Sequence, residues 1–260
     1  MDIEIMVMGF GVGCLVGMTG VGGASLLTPI LVLWGINPAI AIGTDFAYNT
    51  VTKLFSSIQH IRQRTVNFQL VKYLAFGSLP AAITANIVFY SLLSKRYDED
   101  VIVLVLGFVL TIVSLISLFQ FILVPNPTNP FKLKPLSEKR VFTIAAGILI
   151  GAIVGVTSIG SGSLFALLIL YFYNIRSSEL VGTDITHAFL LVFVSGLLMA
   201  GMGHIDFPLT GNLLCGSVPG AIIGSKLSTK IPQKVMRILF VSIILISGIT
   251  LVSKYVPGLS

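Results

Sequence analysis

Two carboxylates stand inside apolar sequence, each behind the same two residues: Gly43-Thr44-Asp45 and Gly182-Thr183-Asp184. An ionisable group in a membrane segment is expensive and is by default a functional hypothesis. Three roles are open to Asp45 and Asp184: proton uptake in a coupled cycle, cation binding, or acceptance of hydrogen bonds from glycine-rich backbone. Each lies about six residues into an apolar helix, roughly 9 Å from its end at 1.5 Å per residue. The residues that follow differ between the two copies. Tyr48 and Asn49 align with His187 and Ala188. His187 stands three residues after Asp184, a spacing at which helical neighbours meet, and offers either a proton-sharing partner or a structural hydrogen bond. Lys53, two turns beyond Asp45, is either a partner for it or a side chain snorkelling toward the basic loop at 60–72. A charged aspartate repels an anion, so an anionic substrate requires these carboxylates to be protonated or paired when it binds.

A second set of polar groups comes from a repeat. Residues 9–26, GFGVGCLVGMTGVGGASL, recur as residues 147–164, GILIGAIVGVTSIGSGSL. One residue is then inserted, and Gly77-Ser78-Leu79-Pro80 is matched by Gly216-Ser217-Val218-Pro219. Each copy is broken near its middle by glycine, at GVGGAS and at IGSGS. If a half-helix starts at each break, its free N–H groups and positive dipole end face the membrane interior. Gly22 and Gly23 from one half and Gly160 from the other would supply backbone donors. Thr19, Ser25, Thr157, Ser158, Ser161 and Ser163 would add hydroxyls, suiting an anion of a few oxygens. Thr44, Asn49, Thr183 and His187 complete the expected substrate-binding set. The other reading of the two clusters is a tight bend. Gly9, Gly13 and Gly17, spaced by four, read as helix-packing positions instead.

The elements that carry these residues are membrane segments. The 260 residues are 55% hydrophobic and 10% charged, with a mean hydropathy of +1.00. A soluble domain has about 25% charged residues. Apolar segments fall at 5–34, 39–60, 69–93, 101–124, 141–173, 179–202, 209–227 and 235–255. Six fit the roughly 20 residues a spanning helix needs. The first and fifth are too long, and read as one kinked helix or as two half-helices in a re-entrant hairpin. Irregular backbone at membrane depth must be buried in protein or line a cavity. The net charge of +6 does not indicate nucleic-acid binding, because the basic residues cluster in short loops at 60–72, 125–140 and 226–237. If the broken segments re-enter, all three basic loops fall inside, as the positive-inside rule prefers. Each half then has three full crossings, and the second half is inverted. An eight-crossing bundle of kinked helices is the alternative.

The expected architecture is therefore an all-α polytopic membrane protein of two homologous repeats: 1–124, a connector at 125–140, and 141–260. Ser137 is a candidate cap for the helix after the connector, and Asn37-Pro38 is a good helix start. The N-terminus, MDIEIMVMGF, is acidic and does not read as a cleavable signal peptide. Cys14 and Cys215 read as small buried hydrophobes, and no residue pattern implies a metal or other cofactor. His60 and His204 sit near interfaces and are weaker candidates. Small lipid-facing residues are compatible with a homodimer, which no motif specifies.

The segment GVGGASLLTPILVLWGINPAIAIGTD resembles the opening signature of the sulfite exporter TauE/SafE family, with its glycine-rich break, following proline and apolar run. SIQHIRQRTVNFQL is similar to that family's His–basic–basic connector, and GVTSIGSGS to its second repeat. The resemblance covers residues 5–255. It implies a plasma-membrane permease, built by duplication, for sulfur oxyanions, organosulfonates or other organic anions. Where the family reads Gly-Thr-Ser, this chain reads Gly-Thr-Asp twice, a departure that favours proton coupling or another solute. The expected function is a secondary transporter of a small anion, working by alternating access between the repeats. A passive anion channel is the alternative, and an enzyme is not expected. There is no GxxxxGK[ST] motif in the chain, so transport would be driven by a gradient or a partner.

Overall fold

Apolar sequence of this length satisfies its backbone in lipid by forming helices. The computed structural model describes residues 2–19, 24–93, 99–123, 130–160, 163–228 and 233–255, which contain helices and no strand. The helices are α1 (Ile3–Thr19), α2 (Ala24–Leu33), α3 (Pro38–Arg62), α4 (Phe68–Ile87), α5 (Glu99–Leu123), α6 (Arg140–Thr157), α7 (Ser163–Phe172), α8 (Ser177–Gly201), α9 (Phe207–Ser228) and α10 (Gln233–Tyr255). Six of the eight apolar segments each hold one α-helix. The first and fifth hold two each, α1 with α2 and α6 with α7. Among the described residues, five helices are long and apolar enough to cross a membrane: α4, α5, α6, α8 and α9.

Local chemistry sets several boundaries. Asn37 Oδ1 accepts from the Ala39 and Ile40 amides at 3.0 and 3.3 Å, with Pro38 opening α3 behind it. Asn67 caps α4 by accepting from Leu70 N at 3.1 Å. At α6 the expected Ser137 cap is not used: the cap position is Lys139, without a side-chain bond to the helix. Lys139 has another task. Its buried Nζ donates to Lys132 O and Phe172 O, each at 3.0 Å, and lies 4.9 Å from the Tyr173 ring centroid. The Thr143 and Tyr173 hydroxyls also bond. The end of α7 thus returns to the start of α6, so this broken segment folds back on itself. Lys139→Met should lower the thermal unfolding temperature in detergent micelles, because two charge-assisted bonds are lost, each worth about 1.5–3 kcal/mol. An unchanged melting curve would show that the fold-back does not depend on this lysine.

Packing exchanges partners between the two halves. α1 lies on α9, and α6 lies on α4. Gly9 and Gly13 meet the backbone of Leu213 and Ser217, while Gly147 and Gly151 meet Leu74 and Ser78. Residue numbers rise together along both seams, so each pair is parallel. The two seams are images of one another, since Gly9 aligns with Gly147 and Ser78 with Ser217. Gly9 and Gly13 therefore have the packing role expected of them. α3 and α8 form the central pair and run antiparallel: Gly43 meets His204, Gly196 meets Phe46 and Thr50, and Gly182 meets Thr65. α5 packs on α10. Cys14 is half-buried, with Sγ 3.9 Å from Met18 Sδ. Cys215 departs from expectation: it is exposed on α9, because the seam to α1 is occupied by Gly216 and Gly220 beside it.

Candidate functional site

The central pair α3–α8 carries the polar interior. Along α3, Asp45, Asn49, Lys53 and Ser57 recur every four residues, and all four are buried. Four-residue spacing puts them on one side of the helix. Ser57 Oγ bonds Thr186 Oγ1 of α8 at 3.2 Å, which turns this stripe toward the partner helix.

Asp45 is fully enclosed. Its Oδ1 accepts from Asn49 Nδ2 at 2.8 Å, and its Oδ2 accepts from Ser158 Oγ at 2.7 Å. Ser158 ends α6 in a left-handed conformation, φ 60°. A non-glycine residue there costs of order 1–3 kcal/mol. The hydroxyl–carboxylate bond offsets that cost and ties the break of one half to the aspartate of the other. Thr157 Oγ1 accepts from Ile159 N at 3.3 Å and donates to Ile153 O at 2.8 Å. Gly160 follows with φ +90°. Side chains from α4 take up carbonyls at the end of α6: Asn86 Nδ2 donates to Gly155 O at 3.2 Å, and the Tyr90 hydroxyl to Val156 O. Tyr90 reaches that carbonyl from a π-helical turn, Val88–Leu93, that extends α4.

Asp184 is also buried, but its Oδ1 has no hydrogen-bond partner among the described residues. The repeat explains the difference. The residue aligned with Ser158 is Gly20, which has no hydroxyl to donate. His187 does not bond Asp184. Its Nε2 meets Ser78 Oγ at 2.7 Å, its ring stands edge-on to Phe165 with centroids 4.3 Å apart, and its Nδ1 has no partner among the described residues. Interhelical geometry at α4 wins over the i, i+3 spacing.

Thr44 and Thr183 turn toward loops. Thr44 Oγ1 accepts from Asp206 N at 3.3 Å, and Thr183 Oγ1 from Asn67 N at 3.0 Å. These bonds are repeat images, since Asn67 aligns with Asp206. Each threonine holds the residue that caps the other half's next helix. Of the remaining expected residues, Gly22, Gly23 and Ser161 lie outside the described residues, as do the side chains of Thr19, Ser25 and Ser163. His60 bonds Thr65 at its loop, and His204 lies beside Tyr90.

Lys53 is the residue whose role the sequence left open. It is 6% exposed, so it does not snorkel. It shares the buried stripe of α3 with Asp45, two turns away. The two aspartates stand at different depths. Asp184 lies two residues from Thr186, the partner of Ser57, so Asp45 and Asp184 are separated by about fourteen helical residues, or about 21 Å along the axis. Lys53 falls between their levels. A pocket of about 240 Å³ lies elsewhere, at the connector, among Asn67, Lys132, Lys134, Lys139 and Asn174.

Apolar helices long enough to cross a membrane, packed around a buried polar centre, are the architecture of a multi-pass membrane protein. A model of the sulfite exporter TauE/SafE family matches residues 5–251, and the chain belongs to that family of membrane transporters. It is 49% identical over 255 residues to the probable membrane transporter protein YjnA of Bacillus subtilis (strain 168), covering 97% of this chain and 100% of that protein. The probable membrane transporter protein YdhB of the same organism is 24% identical over 243 residues, covering 90% and 92%. A probable membrane transporter protein of Xylella fastidiosa (strain 9a5c) is 24% identical over 237 residues, covering 88% and 87%. No solved structure matches the chain significantly.

Proposed function

We propose that this chain is a proton-coupled secondary carrier of a small anion, sulfite or an organosulfonate, working by alternating access between two inverted repeats, 1–124 and 141–260, joined by a connector at 125–140. The observation that carries the reading is the buried polar centre on α3 and α8, with one aspartate from each repeat. The repeat-image seams and the antiparallel α3–α8 pair support inversion. A two-fold axis across the helices would reverse the helix on the axis and swap the partners of the others. The fold-back of α6 and α7 supports re-entry. With those directions, the basic loops at 60–72, 125–140 and 226–237 share one face, which the positive-inside rule assigns to the cytoplasm.

In this reading Asp45 and Asp184 handle protons, each nearer one face. Thr157, Ser158 and Gly160, with Thr19, Gly22, Gly23, Ser25, Ser161 and Ser163, form the polar breaks that bind the anion. Asn49 and His187 add buried atoms that lack partners among the described residues, and Thr44 and Thr183 steady the helices carrying the aspartates. Counterflow separates this reading from a passive channel. Vesicles containing the purified protein and preloaded with unlabelled sulfite should transiently accumulate radiolabelled sulfite above equilibrium. Simple equilibration would favour a channel, and flux no greater than in protein-free vesicles would remove sulfite as the substrate.

A further inference from the structure

The repeat makes Lys53 conspicuous. The stripe Asp45, Asn49, Lys53, Ser57 on α3 aligns with Asp184, Ala188, Val192, Gly196 on α8. One half presents polar groups; the other, after its aspartate, presents small apolar ones. Contacts of Gly196 with Phe46 and Thr50, and of Ser57 with Thr186, bring Lys53 level with residues near Val192. Lys53 therefore stands at the depth of its own repeat mate, between the levels of Asp45 and Asp184. Val192 is fully buried and offers no second cation.

The groups around it are unevenly satisfied. Asp45 has Asn49 and Ser158. Asp184 Oδ1, Asn49 Oδ1 and His187 Nδ1 are buried without partners among the described residues. Buried here are Asp45 and Tyr48 of α3 and Asp184 and His187 of α8, with Ser78 of α4 bonded to His187 and Ser158 of α6 bonded to Asp45. A buried charge requires pairing. Two carboxylates and one ammonium leave one negative charge over, unless one carboxylate is protonated.

Resting on the anion-carrier reading, we infer that Lys53 supplies the positive charge that takes up the anion between the two polar breaks, and that a small oxyanion takes its ammonium as counter-charge in exchange for a carboxylate. The displaced Asp184 or Asp45 accepts a proton from the side to which it is open and becomes a neutral acid. A monoanion, hydrogensulfite or an organosulfonate, adds one negative charge at Lys53 and the proton removes one from the aspartate, so the buried centre keeps its net charge. On the opposite side the proton leaves, the carboxylate returns to Lys53, and the anion is released. A single ammonium between two aspartates serves both faces in turn. A second lysine at position 192 would hold the anion too firmly to release it.

The test measures saturable radiolabelled sulfite flux and sulfite-induced thermal stabilisation in wild type, Lys53→Arg and Lys53→Gln, each checked for monodispersity. Lys53→Gln should raise the half-saturating concentration at least about tenfold, equivalent to 1.4 kcal/mol, and abolish the thermal shift. Lys53→Arg should retain both. If Lys53→Gln does not fold, the double variant Lys53→Val with Val192→Lys, which keeps one ammonium at the same depth, should restore sulfite binding with slower release. Wild-type half-saturation in Lys53→Gln, or a folded double variant that binds no sulfite, overturns the assignment and leaves the carrier reading standing. No saturable sulfite flux in the wild type overturns the sulfite reading itself and the assignment with it.

Discussion

Gly151→Val should prevent the protein from assembling, and Gly13→Val should do the same at the repeat-image position. A Cβ at either glycine meets the backbone of the facing helix, Ser78 in one case and Ser217 in the other. A flexible side chain could move aside; a helix backbone cannot do so without the whole seam opening. Overpacking a well-fitted core costs about 1–3 kcal/mol and occasionally more, and here the displaced element carries Ser78, the partner of His187. Size-exclusion profiles in mild detergent should show aggregated or absent protein for both variants. Gly11→Val is the control, since nothing lies within 4 Å of a Cβ at Gly11. A monodisperse Gly151→Val with a normal melting temperature would show that the seam is looser than described.

Neutralising the aspartates should separate coupling from binding. Asp184→Asn should reduce uptake driven by an inward proton gradient at least about tenfold, equivalent to 1.4 kcal/mol. Exchange of sulfite across vesicles at equal concentration and pH should persist, since exchange needs no net proton movement. Asp45→Asn should lose gradient-driven uptake too, with a structural penalty added. Its bond from Ser158 crosses between the repeats, and a hydrogen bond to a charged group is worth about 1.5–3 kcal/mol. The two variants should therefore differ in stability while agreeing in coupling. If exchange and driven uptake fall together in Asp184→Asn while its melting temperature holds, Asp184 binds the substrate instead of handling protons.

Much of this arrangement is legible in the residues alone. Asn37-Pro38 announces the start of α3, the duplicated glycine motif announces two related units, and Gly-Thr-Asp announces a polar centre. The partner exchange is not legible. Gly9 and Gly13 declare a packing face without saying whose backbone they meet, and the answer, α9, lies some 200 residues away in the chain. His187 shows the same limit. Its spacing from Asp184 is a local fact, but its bond goes to Ser78. A further readable signal is the four-residue spacing of Asp45, Asn49, Lys53 and Ser57. Once seen as one stripe, it places Lys53 with the aspartates and not with the basic loop. Ser158 could not have been read as left-handed, because only the tertiary bond to Asp45 makes that conformation worthwhile.

The central claim is that protons and the anion move together through this centre. The most direct measurement traps a pH-sensitive dye inside proteoliposomes and adds sulfite outside at equal external and internal pH, under an ionophore-clamped membrane potential. Coupled transport predicts internal acidification that saturates with sulfite, exceeds the leak of protein-free vesicles and is absent in Asp184→Asn. Saturable sulfite accumulation with a dye signal no greater than that of Asp184→Asn would contradict it.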